Sequence, residues 1–157
     1  MNRKFILSVL MFLSSMTIPA VAQIDGGFTG KRTLVKVEVE EFLPGTMDPI
    51  GVNTYTEENM NIPGEVANMI IREMDLQGSG SGSIVLFNGA LENPDIQLTS
   101  DYFAFSAQGQ PMLQGANEYM YVTDTENNEL LLTPKGIVCS EKKCFRVLYF
   151  SLKRILE

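Results

Sequence analysis

Cys139 and Cys144, the only cysteines in the chain, bracket Ser140-Glu141-Lys142-Lys143. If Glu141-Lys142 forms a two-residue hairpin turn, Ser140 and Lys143 close it as a hydrogen-bonded pair. The cysteines then fall in the next, non-hydrogen-bonded pair, with Cα atoms roughly 4.5 Å apart. That is the short end of the disulfide window of about 4.4–6.8 Å. The spacing therefore predicts a cross-strand disulfide clasping a C-terminal hairpin, worth roughly 2 kcal/mol by loop-closure entropy for so short a loop. A redox-active pair is the sharper alternative, but its usual form is C-x-x-C at a helix start, and here four residues intervene in a strand setting. The same turn matches S-x-x-K, the serine–lysine nucleophile pattern. That chemistry needs the serine at a helix start with the lysine one turn later. In a solvated, disulfide-closed turn Lys143 keeps its proton and Ser140 is not activated.

Three other constellations carry less. Asp124, Glu126 and Asn128 alternate as calcium ligands do at the start of a loop. The sixth position is Glu129 where glycine is required, and the twelfth is Lys135 where a bidentate glutamate belongs; a solvated hairpin turn is the simpler reading. Residues 78–83 (GSGSGS) precede a strand pattern rather than a helix, so they read as a mobile loop and not a phosphate cradle. Lys142, Lys143, Arg146, Lys153 and Arg154 concentrate positive charge in the last sixteen positions. They either dock an anionic partner or act as gatekeepers flanking the aggregation-prone run Val147-Leu148-Tyr149-Phe150.

Composition narrows the chemistry further. The chain has no histidine, which removes Ser-His-Asp and Cys-His catalysis and the commonest zinc ligand. No acid–base constellation stands out, so the chain reads as a non-enzyme without a cofactor. Asn2-Arg3-Lys4, an apolar stretch over residues 5–18 and Ala20-Val21-Ala22 together form an export signal cleaved before Gln23. The apolar stretch is too short to span a bilayer and Pro19 interrupts it, so the mature chain is not expected to cross a membrane. Export to the periplasm, or secretion, favours an oxidised cysteine pair. Cleavage removes Arg3 and Lys4 and no acid, leaving 10 basic against 19 acidic residues, a net charge of −9. Such a surface repels nucleic acid phosphates.

The 135 residues after position 22 suit one domain, with a flexible arm at 23–31 and a β-rich domain at 32–157. Residues 32–42 alternate: Val35, Val37 and Val39 on one face, Lys36, Glu38 and Glu40 on the other, as in a half-buried strand. Residues 43–51 read as turn and loop; residues 51–60 fit neither strand nor loop. Pro63 and Glu65 suit a first helical turn, and Val66, Met69, Ile70 and Met74 recur at helical spacing, predicting one helix of about twelve residues. Met69-Ile70-Ile71 fits a strand as well. From residue 83 onward the chain is β-rich, which makes about six or seven short strands in all at near-regular spacing, the signature of a small barrel or sandwich. Tyr119 and Tyr121 alternate with Met120 and Val122. If the aliphatic pair is buried, the tyrosines are exposed and, with Lys142, Lys143 and Arg146, are the candidate ligand contacts.

Gly26-Gly27-Phe28-Thr29-Gly30 directly after an export signal resembles the opening of the bacterial OB-fold family of small periplasmic proteins. The segments 85–89, 101–109 and 149–155 are similar to strands of that family in order and flavour. The resemblance implies a short helix after the arm, a five-stranded barrel, and a non-catalytic periplasmic binding protein linked to envelope stress. The expected molecule is thus mainly β, a small barrel or sandwich with an OB-like barrel among the options, plus one short α-helix. Its expected role is to bind a small molecule, glycan or protein of the envelope. The alternative is an accessory subunit of a surface or secretion assembly, docking through an exposed strand edge.

Overall fold

The computed structural model describes residues 27–112 and 117–155; the expected export signal and the first four residues of the expected arm lie outside these. In chain order the elements are β1 Gly30–Phe42, β2 Pro49–Thr56, a single 3-10 turn at Gly64–Val66, β3 Ile71–Leu76, β4 Gly82–Leu86 and β5 Gly89–Glu92. There follow β6 Asp95–Leu98, β7 Tyr102–Ser106, β8 Glu118–Asp124, β9 Glu129–Pro134, β10 Val138–Cys139 and β11 Cys144–Arg154. Strands make up 58% of the described residues and helical turns 2%, so this part of the molecule is mainly β.

One antiparallel sheet contains all eleven strands, in the order β5-β4-β3-β1-β11-β9-β8-β7-β6, with β2 added to β1 and β10 to β11. Strand order alone forces this sheet to bend. Nine strands spaced about 4.8 Å apart would hold the outermost two roughly 38 Å apart if flat. Yet β5 and β6, the outermost two, are joined only by Asn93-Pro94, a link that spans about 11 Å at most. The sheet accordingly curls into a half-barrel, and the Asn93 amide is tied back to the Gly82 carbonyl at 2.7 Å.

The long strands β1 and β11 form its spine, paired from Arg32↔Arg154 to Phe42↔Cys144. Two register shifts interrupt the pairing: Val35 is the extra residue on β1 and Leu148 the extra residue on β11. Each bulge reverses which parity of residue faces inward. This is why Leu34, Val37 and Val39 are buried while Val35 is only half-buried, a correction to the unbroken alternation of the sequence. On β11 the same phase change buries Val147, Phe150 and Leu152. Inside the curl these side chains meet Phe28, Met74, Ile84, Phe103, Phe105 and Tyr119.

Several expectations change. The predicted helix is absent: Val66, Met69 and Ile70 lie in a strap that packs on the core, and Ile71 and Met74 already belong to β3. Residues 49–56, read as loop or left unassigned, are β2. The pattern over 84–91 is a hairpin, β4 and β5, turning at Phe87-Asn88. Phe28, assigned to a flexible arm, is buried with its ring 5.1 Å from Phe103 and edge-on to Tyr121 at 4.8 Å. No helix follows the arm; the chain enters β1 directly, and the eleven-stranded ladder replaces the five-stranded barrel that the resemblance implies. The disulfide forms in the expected register, with Ser140 N–H donating to the Lys143 carbonyl at 2.7 Å and the two Cα atoms 4.0 Å apart.

The Gly/Ser segment is a hairpin turn closed by Gln77 N–H to Ser81 O at 2.8 Å and Gly80 N–H to Gln77 O at 2.9 Å. Its last glycine is structural. Gly82 has φ +149°, and a Cβ there would run into the Asp75 carbonyl oxygen and sit 2.9 Å from Leu76 Cα. Gly82→Ala is expected to cost about 3 kcal/mol in urea unfolding through backbone strain and overpacking, whereas Gly78→Ala, with open space around it, should cost under about 1 kcal/mol. Equal midpoints for the two variants would contradict this reading.

Candidate functional site

The residues singled out from sequence do not converge. Tyr119 and its neighbours on β8 are inverted relative to expectation. Tyr119 is 0% exposed, whereas Met120 is 52% and Val122 64% exposed. Alternation gives β8 two faces, and the curl decides which is inside. The tyrosine rings fill space that Met120 and Val122 are too small to fill, and their hydroxyls find carbonyl acceptors. Tyr119 Oη donates to Met69 O at 2.7 Å, and its ring stacks on Phe105 at 5.8 Å. Tyr121, half-buried, donates to Thr99 O at 2.6 Å. Tyr119 is thus a core residue that pins the strap to β8.

The basic residues also separate. Lys142 sits at the exposed tip of the disulfide hairpin. Lys143 turns to Glu41, 3.1 Å away, on the face that carries Tyr55 and Phe145. Arg146 lies on the opposite face, 3.6 Å from Glu40 and 5.6 Å from the Phe42 ring centre. Val147–Phe150 is paired with β1 along one side, but on the other only Phe150 has a ladder partner, Leu132 of β9, so the run keeps a partly open edge with Arg146 at its start. In the 124–129 turn, both oxygens of Asp124 accept hydrogen bonds from Asn127, which hold its carboxyl below the usual range. Among the described residues no group of three or more His, Cys, Asp or Glu is placed to hold a metal ion.

Among the described residues Arg32 is the one buried cation. Its guanidinium donates to the carbonyls of Gly27, Leu152 and Asn128 at 2.7–3.2 Å, tying the arm, β11 and the β8–β9 turn together. Burial, and secondarily the nearby Arg154, lower its pKa to about 10. This is a structural knot rather than an open site.

Among the described residues, two open surfaces combine features that suit binding. The first is a fork: β9 pairs with β11 over Phe150–Lys153, and β10 only over Cys144 and Phe145, leaving a gap beside residues 146–149. A cleft of about 340 Å³ opens there, lined by Met120, Thr133, Lys135, Ile137, Arg146 and Leu148. Lys135 stands 5.0 Å from the Tyr102 ring centre and 3.8 Å from Glu118. The second is β2. Among the described residues its one ladder partner is β1, with a single Thr56–Asn59 bridge at its end, and its sequence, PIGVNTYT, contains no charge. Seven of its eight residues are exposed, Ile50 at 50% and Val52 at 51%, with Leu43 and Met47 exposed in the preceding loop. Sequence reasoning missed this strand because Pro49, Gly51 and Asn53 dilute the β-branched pattern. The alternating Val52, Thr54 and Thr56 were the available signal.

No family model, no curated protein and no solved structure matches the chain. Among the described residues no helix is long and apolar enough to cross a membrane, a statement that does not bear on strands.

Burial raises the Tyr119 phenol well above the usual tyrosine range, more than a hydrogen bond with Asn117 lowers it. The folded state therefore keeps this proton, and its stabilising contribution is present below about pH 10 and is lost as pH rises further. Tyr119 should therefore ionise only on unfolding. Tyr119→Phe is expected to leave the phenolate absorbance gained before alkaline unfolding unchanged; a smaller gain in the variant would contradict its burial.

Proposed function

We propose that the mature chain is an exported, non-catalytic binding protein of the bacterial envelope that takes up an extended segment of a protein partner along the free edge of β2. The observation that carries this reading is an uncharged eight-residue strand with one ladder partner. Proteins commonly guard such edges with charge, bulges or cover, because unpaired backbone groups template further pairing. An exposed edge that lacks charge suits β-strand addition, in which main-chain hydrogen bonds supply affinity and alternate side chains supply selectivity. The Cys139–Cys144 bridge is compatible with an oxidising compartment, and with the N-terminal export signal it favours the periplasm, with secretion as the other destination. The non-catalytic part of the reading rests on the lack of histidine and on acids whose described contacts are structural.

A second reading, a small-molecule or glycan binder, is favoured by one observation: the cleft at the β9–β10 fork combines apolar walls with Lys135 and Arg146. It suits an anionic ligand with an apolar body.

The two readings separate on one variant. Val52→Lys places a charge on the β2 edge, two strands from Arg146 of the fork with Glu40 between them, so what separates the readings is a protein adduct, which a small-molecule cleft does not require. Cross-linking in cells should join the wild-type chain, in the envelope fraction, to one protein through β2, and Val52→Lys should abolish the adduct while shifting unfolding by less than about 1 kcal/mol. An adduct unaffected by Val52→Lys, or a chain retained in the cytoplasm, contradicts the proposal. A small anion released from the purified native chain on denaturation would favour the fork.

A further inference from the structure

The ends of β2 define its occupant further, on the premise that β2 is the docking edge. Asp48 immediately precedes the strand, and Glu57 and Glu58 immediately follow it. All three are exposed, and among the described residues none is in an ion pair. An uncharged edge is therefore bracketed at both ends by carboxylates outside any ion pair, with Arg72 lining the same cleft as Glu57, on a mature chain of net charge −9.

A second copy of this chain is a poor occupant for that edge. In an antiparallel pair of β2 strands, Asp48 of each copy would meet Glu57 and Glu58 of the other. In a parallel pair, acid would meet the same acid. Either arrangement places like charges together at both ends, which disfavours association. Cationic ends reverse the sign in either direction of pairing.

We infer that β2 receives an extended segment of another protein, with an uncharged β-forming centre of about six to eight residues and lysine or arginine at both ends. The centre follows from the length of β2, about 24 Å at 3.4 Å per residue. On the outer face, the added strand places alternate side chains beside Val52 and Thr54, which line up with Glu40 and Glu38 of β1. A β-branched or aromatic residue next to Val52 suits that position. The flanking charges add attraction and raise the association rate, and salt screens them.

The test uses the mature chain with its disulfide intact and three synthetic peptides, followed by fluorescence anisotropy. One peptide carries an alternating threonine–valine centre with two lysines at each end. The second replaces the lysines with glutamates. The third keeps the lysines and interrupts the centre with prolines. The lysine-flanked strand former should bind about tenfold more tightly than the glutamate-flanked one, the size expected of a few exposed ion pairs. Asp48→Asn combined with Glu57→Gln and Glu58→Gln should reduce that ratio to under about threefold, and the proline-interrupted peptide should bind at least about tenfold more weakly. Equal affinity for lysine and glutamate flanks overturns the inference while leaving strand uptake at β2 intact. Equal affinity for the proline-interrupted peptide also overturns it, since that is attraction to charge without strand addition. Binding of neither strand former by a correctly folded chain overturns the β2 reading itself. A dimer at micromolar concentration by sedimentation, lost in Val52→Lys, overturns it in favour of self-pairing.

Discussion

The rest of the structure depends on the pairing of β1 with β11. These are the two longest strands, they lie more than a hundred residues apart in sequence, and they pair over almost their whole length. Val37, Val39, Val147, Phe150 and Leu152 on this ladder are fully buried. Each such side chain contributes about 1.5–3 kcal/mol of burial, against backbone ordering of about 1–2 kcal/mol per residue. Neither strand has a single neighbour along its other side. On β1 the neighbour changes from β3 to β2, and on β11 from β9 to β10. The two halves of the spine therefore do different things.

At one end the sheet continues on both sides and curls until β5 and β6 are joined by two residues. That half encloses the core and is plugged by Phe28, by the strap carrying Val66 and Met69, and by the tyrosine that pins the strap. At the other end the sheet is only β2, β1, β11 and β10, finished by the disulfide across Cys139 and Cys144. A four-stranded extension has little interior to bury, so β2 is exposed on nearly every residue. The structure can support an exposed strand there because β1 is already fixed by β11. The bridge and the Lys143–Glu41 contact brace the same end. An open edge on a rigid base is what strand uptake requires, since a floppy edge would lose affinity to ordering.

Much of this was legible in the residues. The alternation from Lys36 to Glu40 identified β1, the six residues from Cys139 to Cys144 fixed the hairpin register, and Asp124 to Glu129 gave the β8–β9 turn. What was not legible has physical reasons. Alternation on β8 separates tyrosines from Met120 and Val122, but only the curl of the sheet says which set faces inward. Val66, Met69, Ile70 and Met74 imitate a helix because a strap and a strand buried in succession give closely spaced apolar residues without any helix. Bulges at Val35 and Leu148 shift the inward parity in mid-strand, which no local pattern announces. The Gly26-Gly27-Phe28-Thr29-Gly30 stretch suggested an OB-like opening; its described residues are held instead by burial of Phe28 against Phe103 and Tyr121.

The central claim is that the β1–β11 ladder holds the fold and leaves the outer edge of β2 unpaired. Native-state hydrogen exchange resolved by residue tests it most directly. Amides of Val37, Val39, Val147 and Phe150 should exchange only by global unfolding, while alternate amides within residues 50–56 should exchange orders of magnitude faster in the same sample. Uniform protection across residues 50–56, equal to that of the spine, would mean the edge is already occupied and would contradict the account.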